Sequence, residues 1–285
     1  MNFFDRQHAA RGASAKLVAL FAVSVLAMLV AIDVVVFVVA RAYAPHSAIG
    51  WLVAATVITV LVVGGGTLFK TVALRSGGGT AVALSTGATP VDPTTSDPLL
   101  RRLLNVVEEM SIASGVPMPR VFVLAREPGI NAFAAGYTPA DATITVTGGA
   151  LHMLNRDELQ GVIGHEFSHI LNGDMRLNIK TIGLLYGILL LGLIGLRVLY
   201  FGGGSGGRGR DRDNNAAPLL AFALAMTILG FVGQFFASLI KAAITRQREW
   251  LADASSVQFT RQTSGLEGAL KKIAGVPTGS QLQDK

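Results

Sequence analysis

The sequence predicts a mainly α-helical membrane protein, with about four transmembrane or membrane-inserted helices and a small α+β domain. Three observations carry this. Of 285 residues, 51% are hydrophobic and only 15% charged, a balance too apolar for an ordinary soluble domain of this length. Four stretches, about Leu17 to Ala40, Ile49 to Phe69, Ile182 to Phe201 and Ala217 to Ile240, are long enough to cross about 30 Å of hydrocarbon at 1.5 Å per residue. Between the second and third of them, helical and alternating apolar patterns mix, as in a compact α+β unit.

The first run is interrupted only by Ser24 and Asp33 and follows Arg6, Arg11 and Lys16. It is too long for the apolar core of a signal peptide, and a second run follows at once. Trp51 and Lys70 flank that second run as interface residues. Residues 1–74 therefore read as an N-terminal transmembrane hairpin. Asp33 is costly against lipid, and a polar contact to a neighbouring helix is its expected role. Residues 75–96, rich in Gly, Ser, Thr and Pro, read as a linker.

Residues 97–181 form the first part of the small domain. Asp97-Pro98 starts a helix, Leu99, Leu100, Leu103, Leu104, Val107 and Met110 recur at helical spacing, and Gly115 closes it. Arg120 to Leu124 and Thr143 to Thr147 read as strands, the latter alternating Thr with Ile144 and Val146. Asn131 to Gly136 is a short extended candidate. Asn155 and Glu158 form a capping-box pattern for a helix running to Gly173. The next two apolar runs make a second membrane hairpin over 182–240, with a mobile Gly- and Arg-rich loop at 202–215. Residues 241–285 complete the small domain with a helix at about Lys241 to Phe259, and no structure is expected after Val276.

His165-Glu166-Phe167-Ser168-His169 falls on the capped helix. Four helical residues turn about 400°, so the two imidazoles lie within about 40° of each other and can grip one metal ion. Glu166, about 100° from one and 60° from the other, suits a general base. Zinc held there would lower the pKa of its bound water toward about 7 and polarise a scissile carbonyl, while Glu166 would move the proton to the leaving amine. The chain has no cysteine, so thiolate ligands, disulfides and cysteine nucleophiles are excluded. His8, His46 and His152 have no partner at ligand spacing, and for a third ligand the sequence offers several carboxylates. Asp174 would need a sharp turn to reach the metal, and Met175 stands where a third histidine would lie in the extended zinc pattern. Glu249 and Asp253 share one helix face at i, i+4. One can bind zinc while the other orients a ligand imidazole.

His165-Glu166-x-x-His169 with Asn172-Gly173-Asp174, the later Glu249-x-x-x-Asp253, and the upstream Asn131-Ala132-Phe133-Ala134-Ala135-Gly136 together resemble the HtpX-type membrane metallopeptidases, relatives of the CAAX prenyl endopeptidases. The resemblance covers nearly the whole chain. It implies a zincin-like catalytic domain with one Zn2+ per chain, Glu249 as third ligand and Asp253 as partner of a ligand histidine. It also implies that Asn131 and Ala132 sit on an edge strand that pairs with the substrate backbone, as extended peptides do at a free sheet edge. The implied activity is proteolysis of membrane or misfolded proteins. A narrower prenyl-protein peptidase and a membrane scaffold with structural zinc are the alternatives. No histidine follows Glu249, and Arg246, Arg248 and Tyr137 remain as donors to an oxyanion.

If both histidines and Glu249 bind one ion, the chain between them crosses the bilayer an even number of times. The basic N-terminal flank, against Arg41 alone in the first connection, places the N-terminus and the site in the cytoplasm, typically of a bacterial inner membrane. Arg208, Arg210 and Arg212 weigh against that orientation. A net charge of +6 without a basic run interleaved with aromatics gives no nucleic-acid groove. Protein substrates and the lipid bilayer are the expected partners.

Overall fold

The structure, a computed structural model, describes residues 3–202 and 213–275. Its elements in chain order are α1 (Phe3–Tyr43), α2 (Ala48–Ser76), α3 (Gly78–Ser85), β1 (Thr89–Pro90), α4 (Pro98–Ser114), β2 (Arg120–Leu124), β3 (Ala132–Ala135), β4 (Thr143–Thr147), α5 (Gly148–Met153), α6 (Arg156–Leu171), α7 (Asp174–Gly202), α8 (Asp213–Thr260) and α9 (Ser264–Gly275). Two compact units result, one from 1–12, 73–179 and 246–285, the other from 13–72 and 180–245.

The second unit is helical and apolar. Lys16–Tyr43, Pro45–Ser76, Asp174–Phe201 and Leu219–Thr260 are each long and apolar enough to cross a membrane, so the chain is a multi-pass integral membrane protein. Its core holds Ile32, Val36, Ile188, Leu191 and Met226, while Leu20, Val23, Leu26, Phe235 and Phe236 are exposed on the outside, where lipid replaces water. Lipid tails compete equally for such side chains, so close backbone packing holds the helices together. At Gly187 an added Cβ would fall 2.4 Å from the Val63 carbonyl oxygen. Asp33 makes its expected contact: Thr56 Oγ1 donates to its carboxylate at 2.9 Å.

The first unit is built on a four-stranded sheet in the order β1-β2-β4-β3. The β2–β4 pair is parallel, with Val121 opposite Ile144 and Val123 opposite Val146. The outer pairs are antiparallel, so β3 is an edge. Strand alternation feeds both faces. Val121, Val123, Ile144 and Val146 meet Leu103, Val107 and Met110 of α4 and Leu159, Ile163 and Phe167 of α6. Phe122, Leu124 and Phe133 pack with Ala83 of α3 on the other face. The threonines of β4 are buried as fully as its aliphatics; Thr147 Oγ1 is satisfied by donating to Gly129 O at 2.7 Å and accepting from Asn131 N–H at 2.9 Å.

Local signals fall where expected at several ends. Asp97 caps α4 by accepting from Leu99 N–H, and Gly115 ends it at φ 72. Asn155 and Glu158 form the reciprocal capping box of α6. Elsewhere the structure differs. Residues 75–96, expected as a linker, hold α3 and β1. An added Cβ at Gly79 of α3 would lie 2.5 Å from Ala135 O, so glycine there serves close packing on β3 rather than flexibility. The apolar run at Ala217 and the polar helix at Lys241 are one continuous α8, because a change of polarity does not interrupt backbone hydrogen bonding. Asp213–Asn215, assigned to a mobile loop, begin α8. The rest of that loop from 203, with Arg208, Arg210 and Arg212, and the tail after Val276 lie outside the described residues. Besides α3, two further helices were not anticipated, α5 and α9; the latter buries Leu266 and Ala269.

Candidate metal centre

The centre lies entirely within the first unit. The capping box starts α6, and its last turns carry His165 and His169 on one face, their Nε2 atoms 3.1 Å apart and their rings nearly perpendicular at 79°. From α8, Glu249 places Oε2 3.2 Å from His165 Nε2 and Oε1 3.8 Å from His169 Nε2. One donor atom from each residue thus lies within 4.8 Å of the other two.

The far side of each ring decides what the near side can do. His165 Nδ1 is 2.9 Å from Asp253 Oδ1, and His169 Nδ1 is 2.8 Å from Asp174 Oδ2. When the rings are neutral, each carboxylate accepts an Nδ1–H, which leaves both Nε2 lone pairs on the side of Glu249. Two such lone pairs and a carboxylate converging on one point offer a ligand set for a cation. Donors held about 2.0–2.1 Å from a tetrahedral zinc lie about 3.3 Å apart, close to the two shortest separations. Two imidazoles and one carboxylate, with no sulfur, fit one zinc ion in the pattern of a catalytic site. Burial opposes charge on His165, yet the hydrogen bonds to Asp253 and Glu249 and the charge of Glu166 push its pKa up to about 10. Burial likewise opposes charge on His169, and Asp174 and Glu166 raise its pKa nonetheless. The pocket favours positive charge.

Glu166 lies beside this centre but points to the sheet. Ala134 N–H donates to its Oε2 at 2.8 Å. Burial raises its pKa, against the opposing pull of both imidazoles and the Ala134 N–H. A carboxylate raised in this way is better matched to proton transfer near neutral pH than an exposed one.

β3 pairs with β4 on one side. Thr147 N–H donates to Asn131 O at 3.0 Å, and Asn131 N–H reaches Thr147 Oγ1. The main chain of Asn131 is therefore turned toward β4, not toward an incoming peptide. Antiparallel alternation then turns Ala132 and Ala134 to the opposite side, which agrees with the Ala134 bond to Glu166. Of Asn131 and Ala132, only Ala132 has its main-chain groups on the side away from β4.

Two residues acquire places that spacing did not assign. Gly173, at φ 69, makes the sharp turn that Asp174 needed, and the turn delivers Asp174 to the outer nitrogen of His169 rather than to the ligand side. Arg248 Nη1 then lies 2.6 Å from Asp174 Oδ1. That oxygen is buried and makes no well-aligned hydrogen bond, so the contact is ionic. Arg248 also donates to Asn172 O at 3.4 Å, which commits it away from an oxyanion. Tyr137 is flanked by Arg75 and Arg176. The signal for Asp174 was present in Asn172-Gly173-Asp174, where glycine at a helix end permits reversal.

Residues 100–282 match the model of peptidase family M48. The chain is 42% identical over 172 residues to a "Protease HtpX homolog" of Streptococcus uberis, covering 60% of this chain and 56% of that protein. A protein of the same description from Lactobacillus acidophilus is 42% identical over 173 residues, or 61% of this chain and 58% of its own. Another, from Caldanaerobacter subterraneus subsp. tengcongensis, is 44% identical over 190 residues, or 66% and 60%. The chain thus spans less than two thirds of the length of these relatives.

Proposed function

Since the chain belongs to peptidase family M48, we propose that it is an integral-membrane zinc endopeptidase that hydrolyses peptide bonds of membrane or misfolded proteins. The observation that carries this reading is the convergence of His165 Nε2, His169 Nε2 and Glu249 within 4.8 Å beside the buried carboxylate of Glu166. His165, His169 and Glu249 hold the ion, and Asp253 and Asp174 fix the imidazoles from behind. Zinc, when bound, supplies a Lewis acid that polarises a carbonyl and lowers the pKa of water.

The chain's own groups do the rest. Glu166 takes the proton of the attacking water and returns it to the leaving amine. The Ala134 N–H keeps that carboxylate in register with β3. The outward main-chain groups of Ala132 pair with an extended substrate, which sets its scissile bond relative to Glu166. Two apolar crossings separate the histidines from Glu249, one within Asp174–Phe201 and one in the part of Leu219–Thr260 that precedes Glu249, an even number as one shared ion requires. With the basic N-terminal flank, this favours a centre on the cytoplasmic face of a bacterial inner membrane.

Glu166→Gln tests the mechanism. The variant should bind zinc in the same ratio as the wild type and lose cleavage of an unfolded membrane protein by a factor of about 100 or more. Undiminished cleavage would sink the reading.

A further inference from the structure

Away from the metal centre, two cations share one aromatic ring. The guanidinium carbon of Arg75 lies 4.8 Å from the Tyr137 ring centroid and that of Arg176 lies 5.1 Å from it. Both arginines are exposed, and among the described residues neither has a carboxylate within ion-pairing distance. Asp174, two residues before Arg176, is held by His169 and Arg248, and Asp141, four residues after Tyr137, is engaged elsewhere. Its carboxylate accepts from the Tyr137 N–H at 2.9 Å and from the Thr138 N–H at 2.6 Å. Two like charges gathered on one ring repel each other and leave an unneutralised positive patch.

Their places in the chain say where this patch lies. Arg75 is in the last turn of the apolar span Pro45–Ser76, and Arg176 is in the first turn of Asp174–Phe201. Basic residues and tyrosine at the ends of spans stand at the level of lipid headgroups. Guanidinium groups bind phosphate oxygens bidentately, which a lysine cannot do.

We propose that Arg75, Arg176 and Tyr137 form a binding site for the phosphate of an anionic phospholipid headgroup. The tyrosine ring holds the two guanidiniums by cation–π contact, and a phosphodiester between them relieves their repulsion. Tyr137 follows directly on β3 and Gly136, so a bound headgroup also steadies the end of the strand that faces the metal centre. This proposal does not depend on the chain being a peptidase; it depends on the residues lying at the bilayer surface.

The test titrates the full chain, purified in a neutral detergent, with phosphatidylglycerol or with phosphatidylcholine of the same acyl chains, and counts bound lipid by native mass spectrometry. The wild type should prefer phosphatidylglycerol by about ten-fold or more. R75Q/R176Q should lose that preference while keeping its zinc content and melting temperature, and R75K/R176K should keep part of it. The single variants R75Q and R176Q, each with a reduced preference, carry the test if the double variant does not fold. An undiminished preference in the glutamine variants would overturn the proposal. So would equal displacement of both lipids by millimolar inorganic phosphate, which would mark a general anion site instead of a headgroup site.

Discussion

Glu166 accepts a hydrogen bond from the backbone N–H of Ala134 at 2.8 Å, so the candidate base and the edge strand are positioned by the same contact. Shortening the side chain separates the two tasks. Glu166→Asp keeps the charge but cannot reach both β3 and a water beside the histidines. We expect kcat to fall by about 100-fold or more, with zinc content unchanged. Steady-state cleavage with metal analysis checks this, and a variant with normal kcat would show that the Ala134 contact does not set the position of the base.

The two carboxylates behind the histidines should not be equivalent. Asp174 is 11% exposed and sits between His169 and Arg248, whereas Asp253 is 47% exposed. Water screens the exposed pair, but Asp174→Asn leaves the partly buried Arg248 without its counter-charge. Both substitutions should weaken zinc binding, Asp174→Asn by about 10- to 100-fold and Asp253→Asn by less. Competition against a chelator of known affinity ranks them. The reverse ranking would assign the stronger positioning role to Asp253.

How much of this was readable in advance follows the range of each interaction. The i, i+4 pair His165 and His169, the capping box of Asn155 and Glu158, and the Asp97 and Gly115 ends of α4 depend on neighbours within one or two helical turns, and all were legible. α9 was not anticipated, although Leu266, Ala269, Leu270 and Ile273 recur at helical spacing. The position of Asp174 depends on the backbone reversal at Gly173, and the bond from Ala134 to Glu166 depends on how α6 packs against β3. The first leaves only the helix-end glycine as a local signal, and the second leaves none. Composition misled at residues 75–96, where glycine and serine permit the close approach of α3 to the sheet instead of making a flexible tether.

Zinc removal should be linked to protons. His165 carries a folded pKa raised to about 10 from 6.5, so in the metal-free protein its ring is charged at pH 7 and loses that charge only as pH rises through about 10; the stability this contributes is complete below 6.5 and lost across that rise. Zinc binds the neutral ring, so loading near pH 7 must expel a proton. Affinity should therefore rise with pH across this window. Calorimetry of zinc binding in buffers of different ionisation enthalpy should detect release of about one to two protons. A binding enthalpy independent of buffer would contradict the charged state of the metal-free His165 ring.

The packing of α9 on the start of α6 supplies the last expectation. Lys272 Nζ lies 2.6 Å from Glu158 Oε2 and donates to Met153 O at 2.9 Å, while the same Glu158 oxygen accepts from the Asn155 N–H. Burial alone would raise the Glu158 pKa, but Lys272 and the Asn155 N–H hold it below its ordinary value of 4.5. A depressed folded pKa means that the stabilisation is present above 4.5 and disappears as pH falls through the lower folded value. Glu158→Gln can still cap α6 but cannot pair with Lys272. Its cost at pH 7 should be about 1 kcal/mol, modest because Lys272 is partly exposed and screened. Hydrogen exchange at the start of α6 and along α9 should show faster opening in the variant at pH 7, and the difference from wild type should close as the pH is taken below 4.5. A gap that stays constant down to acid pH would place the effect of the substitution in the cap rather than in the ion pair.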